Sequence, residues 1–361
     1  MKGSRMSKVM IQPADFETCQ QAVNLAFELF PLDVAGKKVL VKPNVLRTAK
    51  SEEAITTHPA VLRAVVKKLE SMNPAQLIVG DNPGVFTYGA NEKAFADTGL
   101  TEASQGHYRN IGAESREVPF NSEYRDTLSV STAVLDADLI VSVPKFKTHG
   151  LTVLSGAVKN SFGILPGAQK AKLHKVAGNP KRFNDLLVEV FRLRVPDLYI
   201  VDGIVGMEGN GPASTELRDV NLILASDNAV ALDGVIARLM GVANPGQVRF
   251  LATAQKAGLG EYSDEATEII GELIPIEGFK LPPAGGPDRP GAEKIQEFIE
   301  SRTRLRPQAD PDMCTGCGAC IDQCPASALA FDGELPKVDP DKCIVCFCCQ
   351  EMCPEQAMQL Q

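Results

Sequence analysis

The chain has 361 residues, 44% of them hydrophobic, and a net charge of −8 from 45 acidic and 37 basic side chains, enough for one large core and a small second domain. The acidic balance argues against general nucleic-acid binding, and the lack of Trp removes a common stacking platform for bases. No stretch approaches roughly 18 consecutive apolar residues, so no membrane span is expected; no apolar segment follows Met1–Met6, so a signal peptide is not expected and the protein reads as cytoplasmic.

Taken in chain order, an amphipathic stretch covers residues 17–30, and Cys19 within it reads as a small buried hydrophobe. Residues 37–41 (KKVLV) predict a strand. Thr57-His58-Pro59 opens a helix running to Leu69, with Thr57 as cap and Pro59 in the first turn. Further strands are predicted at 77–79, 139–143, 198–201 and 222–225, then a helix over 228–240 closed by Gly241. This alternation is the signature of an α/β fold, a largely parallel sheet with helices on both faces, spanning residues 1–280. The segment LPPAGGP (281–287) cannot hold regular structure and marks a linker. A charged helix over 292–302, within a 281–304 connection, leads to a last domain at 305–361.

Polar residues follow the strands: Lys42 and Asn44, Asp81 and Asn82, Lys145, Asp202 and Asp227. In open α/β sheets ligands bind beyond the carboxyl ends of the strands, so these residues are candidates for one crevice. Turn formation and helix capping are the alternative for each singly.

Between Asp138 and Asp185 there is no acidic residue, while Lys145, Lys147, Lys159, Lys170, Lys172, Lys175, His149 and His174 all fall in that window. Such a cationic island suits an anion. Lys145, Lys147, His149, Lys159 and Asn160 are the substrate-binding candidates, and the backbone of VKNSFG (158–163) offers N–H groups to a phosphate or carboxylate. Lys170, Lys172 and Lys175 also suit a solvated face. The glycine-rich run DGIVGMEGNGP (202–212) reads as a loop folding over a ligand or as a plain turn, and matches no nucleotide-binding fingerprint. Asp202 and Glu208 within it, with His174, are the acid/base candidates; the two acids also suit a divalent ion.

The tail carries one cysteine pattern twice. Cys314, Cys317, Cys320, Cys324-Pro325 and Cys343, Cys346, Cys349, Cys353-Pro354 both read C-x2-C-x2-C-x3-C-P, offset by 29 residues. This is the ligand spacing of two [4Fe–4S] clusters, in which the fourth Cys crosses to the other cluster. One cluster is assigned Cys314, Cys317, Cys320 and Cys353; the other takes Cys343, Cys346, Cys349 and Cys324. A zinc ribbon needs only two CxxC pairs. By register Cys348 matches Ala319 and is read as a non-ligand thiol. Gly316 and Gly318 are read as allowing close backbone approach to the cluster. The cysteine count implies a reducing compartment and an oxygen-poor life.

The motifs KPNVL (42–46), VGDNPG (79–84), VPKFKTHG (143–150), GAVKNSFGILPG (156–167), VDGIVGMEGNGP (201–212) and SDNAVALDGVIARLMG (226–241) together resemble the domain of unknown function 362 family. That resemblance covers nearly the whole chain and implies an iron–sulfur protein with a C-terminal, small α+β ferredoxin-like domain. It transfers the cluster ligands but no catalytic residue.

Three functions remain open on this reading. One is an oxidoreductase that receives electrons from a ferredoxin- or flavodoxin-like donor and passes them to an anionic small molecule or cofactor. The others are an electron-carrier or docking module for a downstream enzyme, and a maturation factor for a metallocofactor.

Overall fold

A computed structural model describes residues 6–84, 89–167, 169–282 and 306–360. The helix expected over 292–302 and the 283–287 part of the expected linker lie outside the described residues.

Alternate residues of the central strands face two separate cores, which is why short apolar runs here need covering on both sides. The strands are β1 (Ser7–Pro13), β2 (Lys38–Pro43), β3 (Gln76–Val79), β4 (Ser115–Ser122), β5 (Arg125–Ser131), β6 (Leu139–Val143), β7 (Lys145–His149), β8 (Val153–Ser155), β9 (Leu198–Met207), β10 (Leu217–Ser226) and β11 (Thr267–Ile270). The helices are α1 (Cys19–Leu29), α2 (Pro59–Glu70), α3 (Ala90–Asp97), α4 (Leu100–Ala103), α5 (Thr132–Asp136), α6 (Ala157–Asn160), α7 (Gln169–Ala177), α8 (Pro180–Leu193), α9 (Ala229–Leu239) and α10 (Arg249–Lys256). Val39, Val41, Val141, Val143 and Ile200 join the core that includes residues of α1 and α2. Leu40, Ile140, Tyr199 and Val201 join the core that includes residues of α8, α9 and α10.

Among the described residues the main sheet has nine strands in the order β11-β1-β10-β9-β6-β2-β3, with β7 and β8 attached beside β9. The run β9-β6-β2-β3 is parallel, and β10 lies antiparallel to both β9 and β1. The long strand β9 pairs with β6 at its start, Val141 opposite Leu198, and with β7 further on, Lys145 opposite Asp202. The β6–β7 chain thus continues past the sheet edge and carries its lysines beyond the strand ends.

Two local expectations change. The α2 cap is His58, whose ring nitrogen accepts from Ala60 N at 3.2 Å. Thr57 instead donates to Val143 O at 2.6 Å and accepts from Asn44 N at 2.8 Å, binding two strand ends together. Residues 202–207, read as part of a glycine-rich loop, continue β9. At Gly203 a Cβ would stand 2.8 Å from Leu222 O, so the neighbouring strand leaves no room for a side chain there. Asn228 caps α9 as expected, accepting from Val230 and Ala231 N, both at 3.0 Å, and Gly241 follows with φ +84°. Cys19 is buried in α1, and burial pushes its thiol up to about 11.

The C-terminal segment forms the strand pair β12 (Pro307–Ala309) and β15 (Met358–Leu360), the hairpin β13 (Leu329–Asp332) and β14 (Leu335–Val338), and short helices Ala319–Asp322 and Cys348–Glu351. Its internal repeat holds in the backbone: left-handed residues recur at the 29-residue offset as Gly316 and Val345, Gly318 and Phe347, Ser327 and Gln356. Gly316 and Gly318 have φ +67° and +77°, a conformation that favours glycine.

Replacing Asn228 by Ala removes both caps of α9 and should lower stability by about 1 kcal/mol, measured by denaturant unfolding.

Candidate functional site

The site is built where β2, β3 and the β6–β7 chain end. Lys42 and Asp81 form an ion pair at 2.5 Å with both side chains almost wholly buried. Burial drives the lysine down and the aspartic acid up, against their mutual attraction. Asp81 also accepts from Val45 N at 2.8 Å, which fixes the loop after β2. A Cβ at Gly163 would stand 2.1 Å from Asp81 Oδ1 and 2.6 Å from Lys42 Nζ. Only glycine lets the chain after α6 pass over this pair.

Asn160, expected to bind substrate, is instead saturated by the protein. Its amide donates to Ser142 Oγ at 2.9 Å and to Lys42 O at 3.3 Å, while its oxygen accepts from Asn44 at 3.2 Å and Lys42 Nζ at 3.4 Å. It lines the pocket but serves to tie β2, β6 and α6 together. Of the 158–163 backbone expected to meet an anion, Val158 N is taken: Asp233 accepts from it at 3.0 Å, and from the neighbouring Ala157 N at 2.6 Å. Burial pushes Asp233 up to about 7 although these N–H groups pull the other way.

A pocket opens beside these residues, lined among others by Asn44, Asp81, Lys159, Asn160, Lys170 and His174. Lys159 makes no hydrogen bond or ion pair among the described residues, and burial lowers its pKa. Lys170 donates to the carbonyls of Asn82 and Pro83, and burial lowers it to about 8. Lys172 and Lys175 are exposed, so the second lysine run divides between a site and a solvated face. His174 stacks on Phe183 with centroids 4.1 Å apart, and burial lowers it to about 4, leaving a neutral imidazole at pH 7.

The other expected residues stand outside the pocket. Lys145 pairs with Asp202 at 2.7 Å, both fully buried, and Asp202 also accepts from His58 N at 2.7 Å. Lys147 donates to Ile55 O at 2.6 Å, and burial lowers its pKa strongly. Glu208 is held by Arg218 at 3.1 Å and by Lys280 N at 3.1 Å. Asp202 and Glu208 are thus committed to cationic and backbone partners instead of facing a substrate or divalent ion. His149 accepts from Leu151 N through Nδ1 at 3.0 Å, so its proton sits on Nε2.

That Nε2 lies 3.0 Å from Glu351, a residue of the C-terminal segment that the cysteine pattern does not single out. Burial opposes ionisation of Glu351, but His149 and Lys159 outweigh it and hold the carboxyl below its usual range. The helix Cys348–Glu351 closes the pocket: Gln323, Cys348, Glu351 and Met352 form its far wall. Gln350 donates to Asn210 O at 3.1 Å, and the Met352 side chain lies where a Cβ on Gly84 would stand, 2.7 Å away. Val345 and Phe347 join the core of the large domain.

The cysteines frame two further cavities. Cys324, Cys343, Cys346 and Cys349 line one; Cys314, Cys317, Cys320 and Cys353 line the other. Among the described residues no three Cys, His, Asp or Glu converge as ligands of a single metal ion, as a zinc ribbon would require. Four sulfurs around an apolar space fit a larger iron–sulfur cluster. Cys348 lies outside both linings.

A mostly parallel α/β domain joined to a four-plus-four cysteine segment defines an α/β protein with an iron–sulfur module. The chain belongs to the family described as "Domain of unknown function (DUF362)", matched over residues 39–238, and a 4Fe-4S dicluster domain matches over residues 306–354. It is 31% identical over 252 residues to a thylakoid-associated protein of Synechocystis sp., covering 68% of this chain and 77% of that protein. Over 23 residues, 6% of this chain and 40% of the other, it is 52% identical to a probable ferredoxin of Methanosarcina thermophila. A crystal structure of a Thermotoga maritima protein aligns with a TM-score of 0.37 at 15% identity, over 68% of this chain and 58% of that one. Among the described residues no helix is long and apolar enough to cross a membrane.

Gly163→Ala should force the Lys42–Asp81 pair apart and cost roughly 1–3 kcal/mol, read as a lowered Tm, with Gly150→Ala, where a Cβ would meet nothing closer than 3.4 Å, as the control.

Proposed function

We propose that the chain is an electron-transfer enzyme that reduces a small anion held in the strand-end pocket, using two [4Fe–4S] clusters in its C-terminal segment. The observation that carries this reading is the shared wall: one pocket is lined by Lys159 and Lys170 on the sheet side and by Cys348 and Glu351 on the cysteine side. On this proposal Cys314, Cys317, Cys320 and Cys353 hold one cluster, and Cys343, Cys346, Cys349 and Cys324 the other. The clusters, when bound, supply one-electron transfer.

The remaining chemistry belongs to the chain's own side chains. Lys159 and Lys170 bind the anion, and burial strengthens their attraction by excluding water. Lys170, lowered to about 8, is the better proton source near neutral pH, since an acid works best when its pKa lies near the operating pH. Neutral His174 donates or accepts a hydrogen bond rather than carrying charge. Lys145, Lys147, His149, Asp202 and Glu208 hold the walls. A protein redox partner would meet an acidic surface: Asp312, Asp322, Asp332, Glu334 and Asp341 are exposed, and Lys337 and Lys342 are each tied to an aspartate at 2.9 Å. Electrostatic complementarity therefore favours a partner with a basic face.

Reconstituted wild-type protein should hold about eight irons per chain. Cys317→Ser and Cys343→Ser should each lose about half of that iron or show one altered cluster signal, while Cys348→Ser keeps the full content; iron analysis with EPR decides. Anion affinity, measured by calorimetry, should fall as pH rises through about 8, because Lys170 loses its proton there. An affinity flat from pH 7 to pH 9 would remove Lys170 from the binding role.

A further inference from the structure

The pocket's polar groups say more about its occupant than its charge does. Lys159 offers an ammonium with no hydrogen-bond or ion-pair partner among the described residues. Asn44 and Gln323, on opposite walls, each keep a buried side-chain oxygen with no donor to meet it among the described residues. The identity of the Asn44 oxygen is fixed by the network. Asn160 gives its N–H groups to Ser142 and Lys42 O, so its oxygen must accept from the Asn44 amide, which leaves the Asn44 oxygen over. Gln323 is itself more than nine-tenths buried and immediately precedes Cys324. A buried acceptor without a donor costs about 1–3 kcal/mol, so such groups normally have a partner.

We propose that the occupant is a small organic anion that also carries a hydroxyl or amino group, held by Lys159 through its charge and by Gln323 and Asn44 through its donor hydrogens. This rests on the anion-site reading above and adds the chemical class of the ligand. It also fixes the ligand's place. Gln323 and Cys348 flank Cys324, Cys346 and Cys349, so the anion lies against the cavity of that set. Cys317, in the other set, is exposed to solvent.

Glycerate and propionate are matched probes, three-carbon carboxylates with and without hydroxyls. Calorimetry on the reconstituted full chain should show glycerate binding at least tenfold tighter than propionate. Gln323→Leu should reduce that preference several-fold while leaving propionate unchanged, and Lys159→Gln should weaken both acids about tenfold. In EPR of the reduced protein, glycerate should shift the signal that Cys343→Ser alters and leave the one that Cys317→Ser alters. Equal affinity for the two acids, or a shift confined to the Cys317 signal, overturns the proposal while leaving the anion site standing. Failure of both acids to bind wild-type protein overturns the proposal and the anion site together.

Discussion

A carboxylate from the cysteine-bearing segment reaches the cationic ends of the sheet, and the geometry of the site follows from that contact. Glu351 stands 3.0 Å from His149, in the field of Lys159. Lys42, Lys145, Lys147 and Lys170 are buried, and buried ammonium groups are costly unless anions or carbonyls meet them. Asp81 answers Lys42, Asp202 answers Lys145, and carbonyl oxygens answer Lys147 and Lys170. Glu351 supplies a further negative charge from across the domain boundary. Among the described residues Lys159 is left with no direct partner, which makes it the place where an incoming anion gains most.

The same contact sets the distance between the pocket and the cysteines. Glu351 lies between Cys349 and Cys353, and Gln323 and Cys348 sit beside Cys324, Cys346 and Cys349. A side chain that lines the pocket is therefore one or two residues from a candidate cluster ligand. Were the small domain turned so that another face met the sheet, the cysteines would still frame their cavities. The pocket would lose its far wall, and the anion would meet water instead.

The sheet was legible because period-2 burial leaves its mark in the residues: Val39, Leu40 and Val41 alternate between two cores as the KKVLV run implies. The cysteine segment was legible because ligand spacing is local. The walls of the site were less so. A lysine in an acid-free window looks the same whether it is exposed, like Lys172, or buried, like Lys170, since the difference depends on which helix face meets the crevice. Asp202 and Glu208 looked catalytic because strand-end acids often are, yet their partners lie up to 144 residues away in sequence and no local pattern announces them. Glu351 was missed for the converse reason. Its neighbours carry so strong a local signal that nothing in the segment points outward. Asp233 sits inside an apolar helix, and that single buried acid was the one signal that a partner such as the α6 N-terminus must exist.

The internal repeat shows how the second copy became the docking half. Both copies need left-handed residues at equivalent positions, and the first uses Gly316 and Gly318 there, with open space around them. The second puts Val345 and Phe347 in the same conformation, which costs a non-glycine residue about 1–2 kcal/mol. That strain needs a compensating gain, and burial supplies one. Phe347 is 2% exposed in the large domain's core, and sinking such a ring is worth roughly 1.5–3 kcal/mol. The first copy keeps Cys317 exposed and its glycines free, so nothing there would offset the same side chains. The difference between two nearly identical cysteine loops is thus the difference between a face that meets solvent and a face that meets the sheet.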